Sequence, residues 1–167
     1  MHNFELLRNG VLLDTGPLLL MAFSRYERGR YLSKVGADIP AQDLKGVCET
    51  IQAILSFVPR SVVTSYVLAE FHSLARARGS LDRSGIISLM SDNIEFFYKL
   101  DEFPVAKADV LSMKIDRCLH LCFTDTSLMI AALETSMPVL TLDRELRQYC
   151  NTQGIPSLHL YYECYLC

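Results

Sequence analysis

The sequence predicts an α/β fold in which helices cover both faces of a central, mostly parallel β-sheet. Short strand-like runs alternate with longer helix-like segments, an order typical of parallel sheets with helical crossovers. The first strand-like run, residues 11–13, is entirely apolar, as expected for a buried strand. Half of the 167 residues are hydrophobic and 21% are charged, which is the composition of a folded domain rather than of a disordered chain.

The first predicted strand determines where a functional site would lie. It covers residues 11–13 and runs directly into Asp14. Gly16 and Pro17 then end the apolar run, and proline suits the first turn of a helix, which is predicted over residues 17–26. Asp14 is therefore expected at the carboxyl end of a core strand, where open α/β sheets bind their ligands.

The remaining elements follow from the spacing of apolar residues and from flanking Gly, Pro and capping residues. Ser65 and Thr124 are expected to cap the helices that they precede. The predicted helices cover residues 41–56, 66–78, 80–90, 105–121, 125–135 and 145–151, and the further strands cover 61–64, 94–100, 138–142 and 155–160. No linker or repeat divides the chain, which predicts a single domain over residues 1–167, with a core over 10–160 and a longer helical insertion over 28–56.

Charge, hydropathy and cysteine content exclude several classes of protein. The formal net charge of −3 gives no overall basic surface, so a nucleic acid would be bound by local basic patches. No apolar run approaches the about 20 residues of a membrane helix, and the N-terminus lacks a signal-peptide pattern, which predicts a cytoplasmic protein. The pair Cys164 and Cys167 lacks the second pair that a zinc site needs. The other cysteines are predicted to be buried free thiols, namely Cys48, Cys118, Cys122 and Cys150.

Four acidic residues lie in apolar surroundings at comparable places in the predicted fold. Asp14 and Asp143 each follow a strand, Asp125 stands at a helix start, and Glu70 lies in the helix after the second strand. Clustered carboxylates raise one another's pKa unless a cation neutralises them, and oxygen ligands of this kind suit Mg²⁺ or Mn²⁺. Such an ion activates water and binds phosphate oxygens, which predicts hydrolysis of phosphodiesters.

Each of these acids also has a purely structural interpretation. Asp14 can cap the helix that follows it, and Asp125 can stabilise its helix start through the helix dipole. Asp143 can begin a turn, and Glu70 can be a solvated helix residue. All four acids would have to serve such structural roles alone, and this coincidence favours the hypothesis that they share a functional site.

Hydroxyl, basic and aromatic residues complete the predicted site. Three hydroxyl residues are expected to orient waters or carboxylates, namely Thr15, Ser127 and Thr141. The candidates for holding the backbone of a phosphodiester substrate, which could equally form an ordinary solvated surface, are Arg25, Arg28, Arg30, Lys34, Arg76 and Arg78. Tyr26 and Tyr31 interleave with the first of these and offer rings for base stacking.

Four segments, in order, resemble the motifs of the PIN-domain nucleases, and look most like those of VapC-type toxins from toxin–antitoxin pairs. They are residues 12–18 (Leu-Leu-Asp-Thr-Gly-Pro-Leu), 65–71 (Ser-Tyr-Val-Leu-Ala-Glu-Phe), 124–132 (Thr-Asp-Thr-Ser-Leu-Met-Ile-Ala-Ala) and 139–146 (Val-Leu-Thr-Leu-Asp-Arg-Glu-Leu). The resemblance implies a PIN-like (Rossmann-like) three-layer sandwich and a ribonuclease dependent on Mg²⁺ or Mn²⁺. It assigns the catalytic, metal-binding pocket to Asp14, Glu70, Asp125 and Asp143, with Thr15 and Thr141 as accessory residues. It also implies an RNA substrate, an antitoxin partner and a homodimer.

Other functions remain open beside this one. A PIN-like scaffold without catalysis, binding RNA or protein, would be expected to lack one of the acids, and a stand-alone RNA-processing PIN nuclease would need no antitoxin. The segment 28–56 is longer than a compact toxin needs, and suits a lid, an oligomerisation element or a substrate platform. An aspartyl-phosphate hydrolase would need a second Asp where Gly16 stands. A dinucleotide-binding enzyme would need a G-x-G-x-x-G motif after the first strand, and none follows it.

Overall fold

A single parallel sheet forms the centre of the computed structural model, which describes residues 3–116 and 120–160. Its strands are β1 (Val11–Leu13), β2 (Ser61–Thr64), β3 (Leu100–Phe103), β4 (Val139–Thr141) and β5 (Ser157–His159). The spatial order is β3-β2-β1-β4-β5, and every neighbouring pair is parallel. The chain thus moves from β1 to β2 and β3, then crosses back past β1 to β4 and β5. The direction of winding therefore reverses between β1 and β4.

Helices connect the strands and flank the sheet, and the predicted α/β fold is confirmed. The helices are α1 (Asn3–Leu6), α2 (Thr15–Arg25), α3 (Leu32–Val35), α4 (Ala41–Phe57), α5 (Ser65–Gly79), α6 (Arg83–Asp92), α7 (Ile94–Tyr98), α8 (Lys107–Asp116), α9 (Phe123–Thr135) and α10 (Arg144–Thr152), with 3-10 turns at Leu7–Asn9 and Tyr26–Gly29. Across residues 3–116 and 120–160, no helix combines the length and the apolar character that crossing a membrane requires.

Strand β1 and helix α2 lie at the middle of the hydrophobic core. All residues of β1 are fully buried, and α2 is buried over most of its circumference rather than along one stripe. Helix α2 contacts α4, α5 and β4, while α9 packs across β1, β2 and β4. Because Asp14 joins β1 to α2, the packing of these two elements fixes its position at the carboxyl edge of the sheet.

Gly10 allows the chain to enter β1 beside the segment that leads into β2. Its φ of +108° lies in a region that side chains avoid, and a Cβ there would lie 2.7 Å from the carbonyl oxygen of Arg60. The amide of Val11 donates to that same carbonyl at 3.1 Å. Glycine is therefore required for the first contact between β1 and its neighbour.

The predicted strand over residues 94–100 is wrong in most of its length. Residues Ile94–Tyr98 form the short helix α7, and the edge strand β3 begins only at Leu100. In the aromatic run that suggested a strand, Phe96 and Phe97 are half-buried, with the Phe97 ring 5.3 Å from that of Phe71, whereas Tyr98 is exposed. Packing between helices has here overridden the strand preference of aromatic residues.

Two predicted helix caps are displaced by one or two residues. Thr64, not Ser65, caps α5, because its side-chain oxygen accepts a hydrogen bond from the amide of Val67 at 3.3 Å. Cys122, not Thr124, is the N-cap of α9. Both helices consequently begin one or two residues earlier in the chain than the sequence predicts.

The predicted helix over 105–121 and the predicted thiol burial agree with the structure only in part. The helix corresponds to α8, which covers Lys107–Asp116; residues 117–119 lie outside the described part, and His120 is in a turn.

The described cysteines are free thiols: Cys150 is buried, Cys48 is half-buried and Cys122 is exposed, so the prediction for Cys122 is wrong. Cys118, Cys164 and Cys167 lie outside the described residues.

Candidate functional site

A cavity of about 700 Å³ opens at the carboxyl edge of the sheet, beside the place where the strand order reverses. Its lining includes Asp14, Glu70, Asp125 and Asp143. These acids reach the cavity from four different places: the ends of β1 and β4, helix α5 and the first turn of α9. The reversal point of an open parallel sheet is the usual position of a ligand site.

Asp14 is the most deeply placed of the four acids, with 7% of its surface exposed. Its Oδ1 accepts a hydrogen bond from the amide of Thr15, and its Oδ2 accepts one from Oγ1 of Thr141, both at 2.6 Å. Burial, opposed by these hydrogen bonds and reinforced by the charges of Asp125 and Glu70, raises the pKa of Asp14 to about 7. The side chain is thus held rigidly in an environment that disfavours its charge.

Hydrogen bonds connect Asp14 to the elements on both sides of it. Thr15 donates its hydroxyl proton to Oε2 of Glu70 at 2.6 Å, while its amide binds Asp14. Thr141 donates to Asp14 and accepts from the amide of Asp143 at 2.8 Å. The two predicted accessory threonines therefore link three of the four acidic residues across α5, α2 and β4.

Asp125 and Asp143 each take part in the cap of a helix. Oδ2 of Asp125 accepts from the amide of Cys122 at 3.2 Å, and Sγ of Cys122 accepts from the amide of Asp125 at 3.3 Å, which forms a capping box. Oδ1 of Asp143 caps α10 by accepting from the amides of Glu145 at 2.7 Å and Leu146 at 3.1 Å. Burial raises the pKa of Asp125, opposed by its hydrogen bonds to Cys122 and reinforced by the charges of Asp143 and Glu70.

The donor atoms of this cavity fit a hard divalent cation in kind. They are carboxylate oxygens, and one oxygen on each of three acids bonds to no residue in the described part of the chain: Oε1 of Glu70, Oδ1 of Asp125 and Oδ2 of Asp143. In their present rotamers, however, no three His, Cys, Asp or Glu side chains within 3–116 and 120–160 converge closely enough to hold an ion. A cation bound without side-chain movement would therefore take fewer than three of these side chains and complete its coordination with water.

The other predicted site residues are spread over the molecule. Ser127 is fully buried behind the cavity, where its hydroxyl contacts that of Thr64 at 2.7 Å and donates to the Thr124 carbonyl. Of the basic candidates, Arg78 lines the cavity, at 3.3 Å from Asp38 and 3.4 Å from the Val35 carbonyl.

The remaining basic candidates lie elsewhere than on the cavity lining. Arg25 lies at the amino edge of the sheet, over the ring of Phe96. Arg76 lines a shallow pocket on the far part of α5, and Arg28 lies in a left-handed turn at the start of the insertion. Arg30 pairs with Glu27, and both Arg30 and Lys34 lie over the Tyr31 ring. Tyr26 is 3% exposed and stacks against Tyr31, so its ring is closed to a base.

Four residues with polar or ionisable side chains that were not predicted as site residues also line the cavity: Asp38, Cys122, Arg144 and His159. His159 pairs with Thr141 in the register of β5 and β4, and burial lowers the pKa of its imidazole. Arg144 is adjacent to Asp143, and Cys122 precedes Asp125 by the three residues of a capping box. The sequence therefore shows that Arg144 and Cys122 lie close to predicted acids. Asp38 and His159 are brought to the cavity only by the tertiary fold.

Comparison of this chain with models of known protein families finds no match, and comparison with curated protein sequences finds no matching relative.

Proposed function

We propose that this protein is a divalent-metal-dependent endoribonuclease of the PIN-domain type, with Asp14, Glu70, Asp125 and Asp143 as its catalytic and metal-binding residues. One observation carries the proposal: carboxylates from four separate places line one cavity at the reversal point of a parallel sheet. Gathered negative charge is unfavourable unless a cation or a proton neutralises it. Burial chiefly raises the pKa of Asp14, and the charges of Asp125 and Glu70 raise it further.

The chain's contribution to such a reaction is positioning. A bound Mg²⁺ or Mn²⁺ ion would supply a water of lowered pKa and would neutralise charge on the phosphate oxygens. Thr15 and Thr141 fix Asp14 from both sides, and Thr15 also fixes Glu70. Oε1 of Glu70 is left to accept a proton from the attacking water. Groups held in place before the reaction need not reorganise during it, which lowers the barrier.

The rim of the cavity suits the phosphates of an RNA strand. Arg78 and Arg144 bring positive charge to an otherwise acidic cavity, and arginine binds phosphate through two donors at once. Helices α2, α9 and α10 begin at this edge, where their dipoles favour the negative charge of Asp14, Asp125 and Asp143, so the arginines are the groups that suit phosphate. Unpaired RNA is the better fit, since the bases of a duplex are stacked and its strands are stiff.

Cleavage of end-labelled RNAs by the purified protein tests the proposal. We expect cutting of single-stranded RNA with Mg²⁺ or Mn²⁺ and none with EDTA. Asp125→Asn is expected to lower the rate by at least about 100-fold, because it removes one anionic oxygen ligand of the ion. Asp109→Asn, which changes an exposed acid on α8, is the matched control and should cut at the wild-type rate.

A catalytically inactive RNA- or protein-binding scaffold is the second candidate. The observation that favours it is the lack, among the described residues, of three ligating side chains already close enough to hold an ion. The two candidates differ in Mn²⁺ binding: the nuclease binds Mn²⁺ through the acidic cavity, and the scaffold does not. Cleavage that persists at the wild-type rate in Asp125→Asn would refute the proposed site.

The resemblance to VapC-type toxins adds a cytoplasmic antitoxin partner and a homodimer to the proposal. Expression of the wild-type chain in bacteria is then expected to stop growth, whereas Asp125→Asn should leave growth intact. Light scattering is expected to give twice the mass of the 18.9 kDa chain. Normal growth together with RNA cleavage in vitro would favour the stand-alone RNA-processing nuclease over the toxin.

A further inference from the structure

One face of helix α5 carries both an acid and an arginine along the wall of the acidic cavity. Glu70, Leu74 and Arg78 all line the cavity, because residues at a spacing of four share one face of a helix. Arg78 follows Glu70 by roughly 12 Å along the helix axis, from the usual rise per residue. Arg78 is therefore placed to meet a neighbouring phosphate of an RNA strand rather than the phosphate held at the acids.

The loop between α3 and α4, residues 36–40, forms another part of the cavity wall. Arg78 connects α5 to this loop. Its Nη1 donates to the carbonyl of Val35, at the end of α3, at 3.4 Å and to Oδ2 of Asp38 at 3.3 Å. Asp38 itself lines the cavity, so the carboxylate and the guanidinium of this ion pair both belong to the site.

The pair between Arg78 and Asp38 is of a kind that another anion can replace. The side chain of Arg78 is 44% exposed and that of Asp38 is 84% exposed, so water and salt weaken their attraction. Within the described parts of the chain, Nε and Nη2 of Arg78 bond to no other residue. A phosphate accepts two hydrogen bonds at once from a guanidinium, which favours it over the single contact made by Asp38.

We propose that Asp38 competes with the RNA backbone for Arg78 and thereby lowers the affinity of the cavity for RNA. The inference rests on the proposed ribonuclease function, and it adds a residue that controls substrate binding to that site. In the protein without RNA, Asp38 neutralises Arg78. When a phosphate binds Arg78, the contact with Asp38 is lost, and the free energy of that contact is subtracted from the free energy of binding.

Binding of a short fluorescent single-stranded RNA in EDTA tests the competition separately from cleavage. We expect Asp38→Asn to bind this RNA roughly 2- to 5-fold more tightly than the wild type, the range that corresponds to an exposed ion pair. Asp38→Glu keeps the charge and should return the affinity towards that of the wild type. The matched control is Glu49→Gln, which breaks an exposed ion pair with Lys45 on α4, outside the cavity lining, and should not change the affinity.

Two readouts separate competition for Arg78 from the mere removal of a negative charge near the RNA. When Arg78→Gln is already present, Asp38→Asn should cause no gain in affinity, whereas relief of repulsion would act equally in both backgrounds. Once Asp38 no longer neutralises it, Arg78 releases one more counterion from the bound strand. The plot of log association constant against log salt concentration should therefore be steeper by about 0.7 for Asp38→Asn than for the wild type.

The outcomes distinguish this inference from the proposed function. If RNA is bound and cut but Asp38→Asn binds it no more tightly than the wild type, the competition is refuted and the nuclease stands. An equal gain in the Arg78→Gln background would also refute the competition, because Asp38 would then act by repulsion alone. If the expected gain is found but no RNA is cut with Mg²⁺ or Mn²⁺, the nuclease is refuted and the competition stands. If the wild type neither binds nor cuts any RNA, both are refuted.

Discussion

Asp14→Asn should stabilise the metal-free protein at neutral and alkaline pH. Asparagine keeps the shape of the side chain and can still accept from the Thr15 amide, but it carries no charge, and its NH2 group cannot accept the hydrogen bond from Thr141. Burial raises the pKa of Asp14 from 3.8 to about 7 in the folded protein. The unfolded chain therefore releases this proton at a lower pH than the folded chain, and the stability of the wild type falls as pH rises between these values.

The shift sets the size of the expected effect. The rise in the pKa of Asp14 corresponds to about 4 kcal/mol. This is the most by which ionisation of Asp14 can lower the free energy of unfolding near pH 8, and the effect is absent below about pH 4. For a chain of this length each kcal/mol moves the melting temperature by about 2–4 °C. Relative to the wild type, the melting temperature of Asp14→Asn should thus rise by roughly 10 °C between pH 4 and pH 8. The difference that remains at pH 4 reflects the lost hydrogen bond from Thr141.

Thermal melts in EDTA between pH 4 and pH 9 measure this difference, with Asp109→Asn as the control for removing an exposed acid. A difference between Asp14→Asn and the wild type that does not change with pH would refute the reasoning, because it would locate the effect in packing rather than in ionisation. Adding Mn²⁺ should stabilise the wild type at pH 8 and close most of the gap, since a cation lowers the pKa of a carboxylate beside it.

Three further substitutions test the local structure around the site. Thr141→Val removes the hydroxyl that serves both Asp14 and the Asp143 amide, and should cost about 2 kcal/mol in urea unfolding; an unchanged midpoint would contradict that network. Gly10→Ala should cost more than about 2 kcal/mol, because the new Cβ meets backbone at a positive φ, and a soluble variant of wild-type stability would be the contrary result. Cys122→Ala should lose about 1 kcal/mol with the α9 cap while Cys122→Ser keeps it, so equal melting temperatures for the two would exclude capping by this side chain.

The buried strands could be predicted because a strand that is covered on both faces consists almost entirely of apolar residues. Residues 11–13 are covered on all sides, so the strand is uniformly apolar and ends sharply at Asp14. The edge strand β3 has no such mark: Leu100–Phe103 contains two exposed acids and follows an aromatic run that is more strand-like than the strand itself. One ring contact of the helix Ile94–Tyr98, between Phe97 and Phe71, is made with α5, which is not its neighbour in sequence.

The acids of the candidate site were predictable for a similar reason, and the basic residues were not. An acid in apolar sequence at the end of a core strand is unusual, so Asp14 and Asp143 could be selected from sequence alone. Basic residues are ordinary on any surface, and only the fold separates Arg78, which lines the cavity, from Arg76, two residues away on α5. The cap at Cys122 was missed because cysteine is an uncommon N-cap.

Mn²⁺ binding by the purified protein is the measurement on which the account depends most directly, because the acidic cavity must gather around a cation to act as proposed. Calorimetric titration at pH 7 should show Mn²⁺ bound to the wild type and to Asp109→Asn, with proton release as Asp14 ionises. Binding should be at least about tenfold weaker in Asp125→Asn, the scale expected when one ligand-shell interaction is lost. A wild type that binds no Mn²⁺, or an Asp125→Asn variant that binds it equally well, would contradict the proposed metal site.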